Sequence, residues 1–193
     1  MSRVQAQKER IIDARPEEIY AILTDYKVQR PKLLTPNFVD YTVEKGGKGS
    51  GTVISYLLRA ANRERNYRMR VDETVRGSTI TESDANSSLT TTWALAPLDG
   101  GSRTRVRVTS EWDGATGVKG FFERTFAPLG LKRIYGGMLD ALSSVLGVSD
   151  EEVTAVKGTE YKPGQNASLF LVVFAAVVGV AIAISYLQKS QNE

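Results

Sequence analysis

The chain has no histidine and no cysteine in its 193 residues. That removes thiolate and imidazole metal sites, disulfides, Ser-His-Asp and Cys-His nucleophiles, and any iron triad that needs histidine. Proton transfer is left to Asp, Glu, Tyr, Lys, Arg or Ser. One pair has suitable spacing. Tyr67 and Glu73 share period-two parity with Met69 and Val71, so on a regular strand all four project to one side. A carboxyl desolvated beside a phenol would have a raised pKa suited to acid–base work in an aldol-type cyclisation. The plainer reading of Glu73 is a strand-end residue bonded to water. No phosphate-binding glycine motif occurs, and neither a cofactor nor a metal is expected.

Basic residues form the other conspicuous set. Twenty-five Lys and Arg face 22 Asp and Glu, a net charge of only +3. Arg59, Arg63, Arg65, Arg68 and Arg70 crowd one stretch, and Arg103, Arg105 and Arg107 another. On strands, 68, 70, 103, 105 and 107 fall opposite the apolar side. That describes either a solvated outer sheet that resists edge pairing or contact with anionic lipid headgroups through Arg59, Arg68, Arg70 and Arg105. Nucleic acid is not expected, because no aromatics are interleaved on that face.

These residues are carried by a simple succession of elements. A strand at 4–13 leads to Pro16-Glu17-Glu18, a helix start with proline first and carboxylates at the positive dipole end. Pro31 and Pro36 limit the next segment to a short helix or turn. From 38 to 113 the apolar period is two, broken by short Gly-, Asp-, Asn- and Ser-rich turns. Such turns permit only antiparallel neighbours, here a meander of about six strands. Its apolar face needs cover. Residues 118–146 supply it in two helical stripes, Val118 to Leu129 and Leu131 to Val145. The stripes are out of phase, so a kink or break is expected at 128–130, a candidate gate for a ligand.

Residues 148–166 read as a polar, flexible linker. Residues 167–187, ASLFLVVFAAVVGVAIAISYL, form an uncharged run of 21. As a helix the run is roughly 31 Å long, matching a bilayer's hydrocarbon core. Tyr186 and Lys189 suit its interface, and 188–193 form a short tail. Near the N-terminus no apolar stretch resembles a signal peptide. The expectation is a single-pass membrane protein whose domain, residues 1–147, lies in the cytoplasm.

IIDARPEEIYAILTDY (11–26), GSGTVISYLL (49–58), TTTWALAPLDGGSRTRVRVTSEW (90–112) and GFFER…GLKRIYGGML (120–139) occur in an order that resembles the helix-grip superfamily of START proteins and pollen allergens. The nearest likeness is to its polyketide cyclase/dehydrase and lipid-transport branch. The resemblance implies an α+β fold in which a curved antiparallel sheet of about seven strands wraps a long C-terminal helix. It also implies a cavity for an apolar small molecule such as a lipid, isoprenoid, quinone or polyketide. Tyr67, Met69, Trp93, Leu95, Trp112, Phe122, Phe126 and Met138 are the candidate ligand contacts, three of them with polar tips. A cyclase using Tyr67 and Glu73, or a membrane-anchored protein-interaction module, are the alternatives.

Overall fold

Ten residues of alternating character open the chain as β1, Arg3–Ile12, which buries Val4, Ala6 and Ile12. The computed structural model describes residues 3–60, 63–115 and 117–147, with residues 117–126 described by backbone alone. Pro16 then starts α1, Pro16–Thr24, where the Arg15 amide donates to Glu18 Oε2 at 2.9 Å. This carboxylate satisfies an amide at the helix start and complements the dipole there. Ile19 and Leu23 are its fully buried side chains.

A 3₁₀ turn, Arg30–Leu33, leads into six strands: β2 Phe38–Lys45, β3 Val53–Ala60, β4 Arg63–Val75, β5 Thr79–Asp84, β6 Thr90–Leu98 and β7 Arg103–Asp113. All pairings are antiparallel, and the order across the sheet is β1-β7-β6-β5-β4-β3-β2. The meander is thus consecutive, and β1 completes seven strands by pairing with β7 from Arg3↔Asp113 to Ile12↔Thr104. Residues 54, 69, 71, 80, 93, 95, 106 and 108 face one side and join Ile19, Leu23, Tyr26 and Leu33 in one core.

The helix α2, Gly117–Val145, lays Ile134, Tyr135, Met138, Leu139 and Leu142 into the same core. This is the curved sheet and gripped helix expected from the resemblance. Three expectations about helices need correction or limit. First, α2 runs through 128–130 as one helix with Pro128 inside it, so the chain does not break there. A proline within a helix removes one backbone bond but need not end the helix where packing holds it. Second, Leu129 is 60% exposed and Val145 37%, so neither continues the apolar stripe. Third, among the described residues no helix is long and apolar enough to cross a membrane. The 167–187 span and the 148–166 linker lie outside the described residues.

Candidate ligand cavity

The turn between α1 and β2 sets the site. Asp25 Oδ1 accepts from the amides of Lys27 and Val28 at 3.3 and 3.1 Å, and the Arg30 amide donates to the Asp25 carbonyl at 2.8 Å. An Asp that folds the chain back on itself, followed by the fixed φ of Pro31, turns Arg30 into the protein. Its side chain is 4% exposed. Opposite, Ile80, Glu82 and Asp84 occupy the buried parity of β5.

Arg30 Nη2 donates to Glu82 Oε1 at 2.7 Å, and the Tyr26 hydroxyl donates to the same oxygen at 2.7 Å. The guanidinium carbon lies 4.3 Å from the Trp93 ring centre and 5.5 Å from that of Tyr26. Burial works against the Arg30 charge, but Glu82 and the surrounding tyrosines outweigh it and raise the pKa. The ion pair is therefore matched in charge, held by hydrogen bonds and lined by aromatic faces, the conditions under which a buried pair is tolerated.

This pair forms the floor of a cavity between sheet and α2. Ile54, Thr91, Trp93, Tyr135 and Met138 are its other buried walls, and Phe38, Tyr56, Leu58, Tyr67, Leu89 and Leu131 belong to a half-buried, largely apolar rim. Its volume is about 40 Å³. That is room for roughly three water molecules, so a larger guest must displace rim side chains. The hydroxyls are proton-bearing: burial raises the pKa of Tyr41 and Tyr56, and pushes Tyr135 up to about 12. Tyr135 pairs with Ser110, which in turn pairs with Thr91 at 2.5 Å. Two buried donors in the lining have no partner, Arg30 Nη1 and Trp93 Nε1.

Of the residues singled out from the sequence, Tyr67, Trp93 and Met138 line this cavity. Met69 and Leu95 are buried in the core without lining it, and Trp112 is half-buried on β7. The side chains of Phe122 and Phe126 lie outside the described residues. Glu73 is not in the lining; it accepts from the Tyr20 hydroxyl at 2.7 Å. Glu73 is half-buried where the pairing of β4 with β5 slips, between Asp72 and Val75. Glu82, an acidic residue on the parity of Ile80, was the readable signal missed. Arg30 stands in an aperiodic turn and gave none.

On the outer face Arg68 pairs with Glu44 at 2.8 Å, Arg59 with Glu64 at 2.7 Å and Arg107 with Glu9 at 2.9 Å. Arg70 lies 3.7 Å from Asp72, and Arg105 is half-buried.

The family model described as polyketide cyclase / dehydrase and lipid transport matches residues 3–147. The chain belongs to this family. Among solved structures, that of the KanY protein is 40% identical, covering 76% of this chain and 99% of that one, with a TM-score of 0.67. Two more distant structures share the family's fold. An aromatase/cyclase, Zhui, from Streptomyces sp. R1128 is 15% identical over 76% of this chain and 94% of its own, at TM-score 0.61. A START superfamily protein from Mycobacterium smegmatis is 15% identical over 74% and 93%, at 0.51. No curated protein matches the chain.

Proposed function

We propose that this family member binds an apolar small molecule in the cavity between the sheet and α2 and carries or presents it at a membrane. The observation that supports this most is the cavity's amphipathic build: a half-buried apolar rim above a buried floor of Arg30, Glu82, Thr91 and Trp93. Rim side chains supply dispersion and area burial, while the floor fixes orientation through hydrogen bonds. The membrane part rests on the uncharged run 167–187, which is long enough to span a bilayer's hydrocarbon core. A tether of this kind raises the local concentration of the domain at its ligand's source without any new contact. Arg59 and Arg68 would add headgroup contacts by giving up their carboxylate partners Glu64 and Glu44.

The acid–base alternative built on Tyr67 and Glu73 draws less support, because Glu73 accepts from the Tyr20 hydroxyl. Native mass spectrometry of the full chain, purified from its own host in mild detergent, tests the binding reading. A retained small molecule that dissociates on collisional activation supports it. A bare mass, together with failure to take up any added apolar molecule, defeats it.

A further inference from the structure

We infer that the cavity selects a neutral oxygen acceptor, a ketone or quinone-type carbonyl, over a carboxylate or phosphate headgroup. This rests on the cavity being the binding site proposed above. Arg30 Nη1 and Trp93 Nε1 are buried, belong to lining residues, and lack partners. Arg30 is 3% and Trp93 1% exposed, so bulk water does not satisfy them. Unpartnered buried donors are rare and costly, and two at one cavity call for an acceptor supplied from outside the protein. Both are N–H donors, on side chains that carry no acceptor at all. Water held in the cavity, or the guest that displaces it, must therefore supply the lone pairs.

The charge at the floor decides which acceptor fits. Arg30 is already matched by Glu82 at 2.7 Å, and the Tyr26 hydroxyl donates to that same carboxylate oxygen. The floor is thus net neutral. An anion bound there would be desolvated beside the Glu82 carboxylate with no surplus positive charge to compensate it. A carbonyl oxygen can accept from either N–H group and brings no charge. The apolar rim of Phe38, Leu58, Leu89 and Leu131 then receives the ring or chain attached to it.

Three small molecules of nearly equal shape test this on the full chain in mild detergent: acetophenone, benzoate and cumene. Binding is followed by ligand NMR and calorimetry, and the bound acetophenone carbonyl by infrared spectroscopy. Acetophenone should bind, with its carbonyl band moved to lower frequency than in hydrocarbon solvent, and benzoate should bind at least about tenfold more weakly. Trp93→Phe should weaken acetophenone about five- to tenfold while changing cumene less than about twofold, since only one ligand uses the lost donor. Arg30→Lys keeps a cation facing Glu82 and removes Nη1. It should show the same selective loss, and it serves if Trp93→Phe does not fold. Equal loss for acetophenone and cumene, an unshifted carbonyl band, or tighter binding of benzoate overturns the inference while leaving the binding reading intact. If none of the three binds to the folded chain, the inference falls, and the binding reading falls with it where the native mass is also bare.

Discussion

Replacing Arg30 by Met while Glu82 remains should destabilise the domain severely. The pair is 2.7 Å apart, with side chains 4% and 7% exposed, and nothing else in the lining carries a positive charge. Breaking such a pair leaves a carboxylate desolvated with only the Tyr26 hydroxyl for a partner, at a cost of about 3–5 kcal/mol. Set against a typical domain stability of about 5–15 kcal/mol, that is a large fraction. For a domain of this size it corresponds to a melting point lower by roughly 10 °C. Glu82→Leu should cost a similar amount by stranding the guanidinium. The double variant Arg30→Met/Glu82→Leu removes both charges together and should recover to within about 2 kcal/mol of the parent. Urea unfolding of the four proteins at neutral pH, in mild detergent, measures the cycle. Single losses below about 1 kcal/mol that simply add in the double variant would refute a buried, coupled pair.

Gly49 adopts φ +58°, and a Cβ there would meet Glu73 Oε1 at 2.7 Å. Gly49→Ala should therefore cost about 1–2 kcal/mol by denaturant unfolding and disturb the Tyr20–Glu73 hydrogen bond. Burial raises the Tyr135 pKa from 10 to about 12, so its contribution is intact below pH 10 and is lost as pH rises towards 12. Melting curves should show about 2–3 kcal/mol of stability disappearing across that window, and Tyr135→Phe should remove that share of the alkaline loss. The full chain should stay with vesicles through high-salt washing. A chain ending at Asn166 should bind anionic vesicles at low salt only. Release of the full chain by salt contradicts the span, and no binding of the shorter chain at low salt contradicts headgroup contact by the arginines.

Strand order and the place of α2 were legible because alternation and short turns leave a meander few other arrangements. The parity of 106, 108 and 110 in β7, or of 91, 93 and 95 in β6, reads directly as inside and outside. Legibility failed where periodicity did. The slip between Asp72 and Val75 ends the simple alternation of β4, and it is not written in residue types. Arg30 is buried by an Asp-initiated turn and by a partner in a distant strand, and a lone arginine before a proline gives no hint of either. Glu82 was readable in principle, since an acid on the parity of Ile80 requires a buried cation somewhere. The break at 128–130 was read from phase alone, whereas packing of 134–142 into the core keeps the helix continuous.

The most direct measurement is methyl NMR of the full chain during titration with acetophenone. If the cavity is the binding site, saturable shifts should centre on the methyls of Leu34, Ile54, Leu58, Leu89, Leu131 and Met138, all in its lining. Shifts centred instead on the exposed Ile11, Val28 and Val75, or no saturable shift at all, would contradict the account.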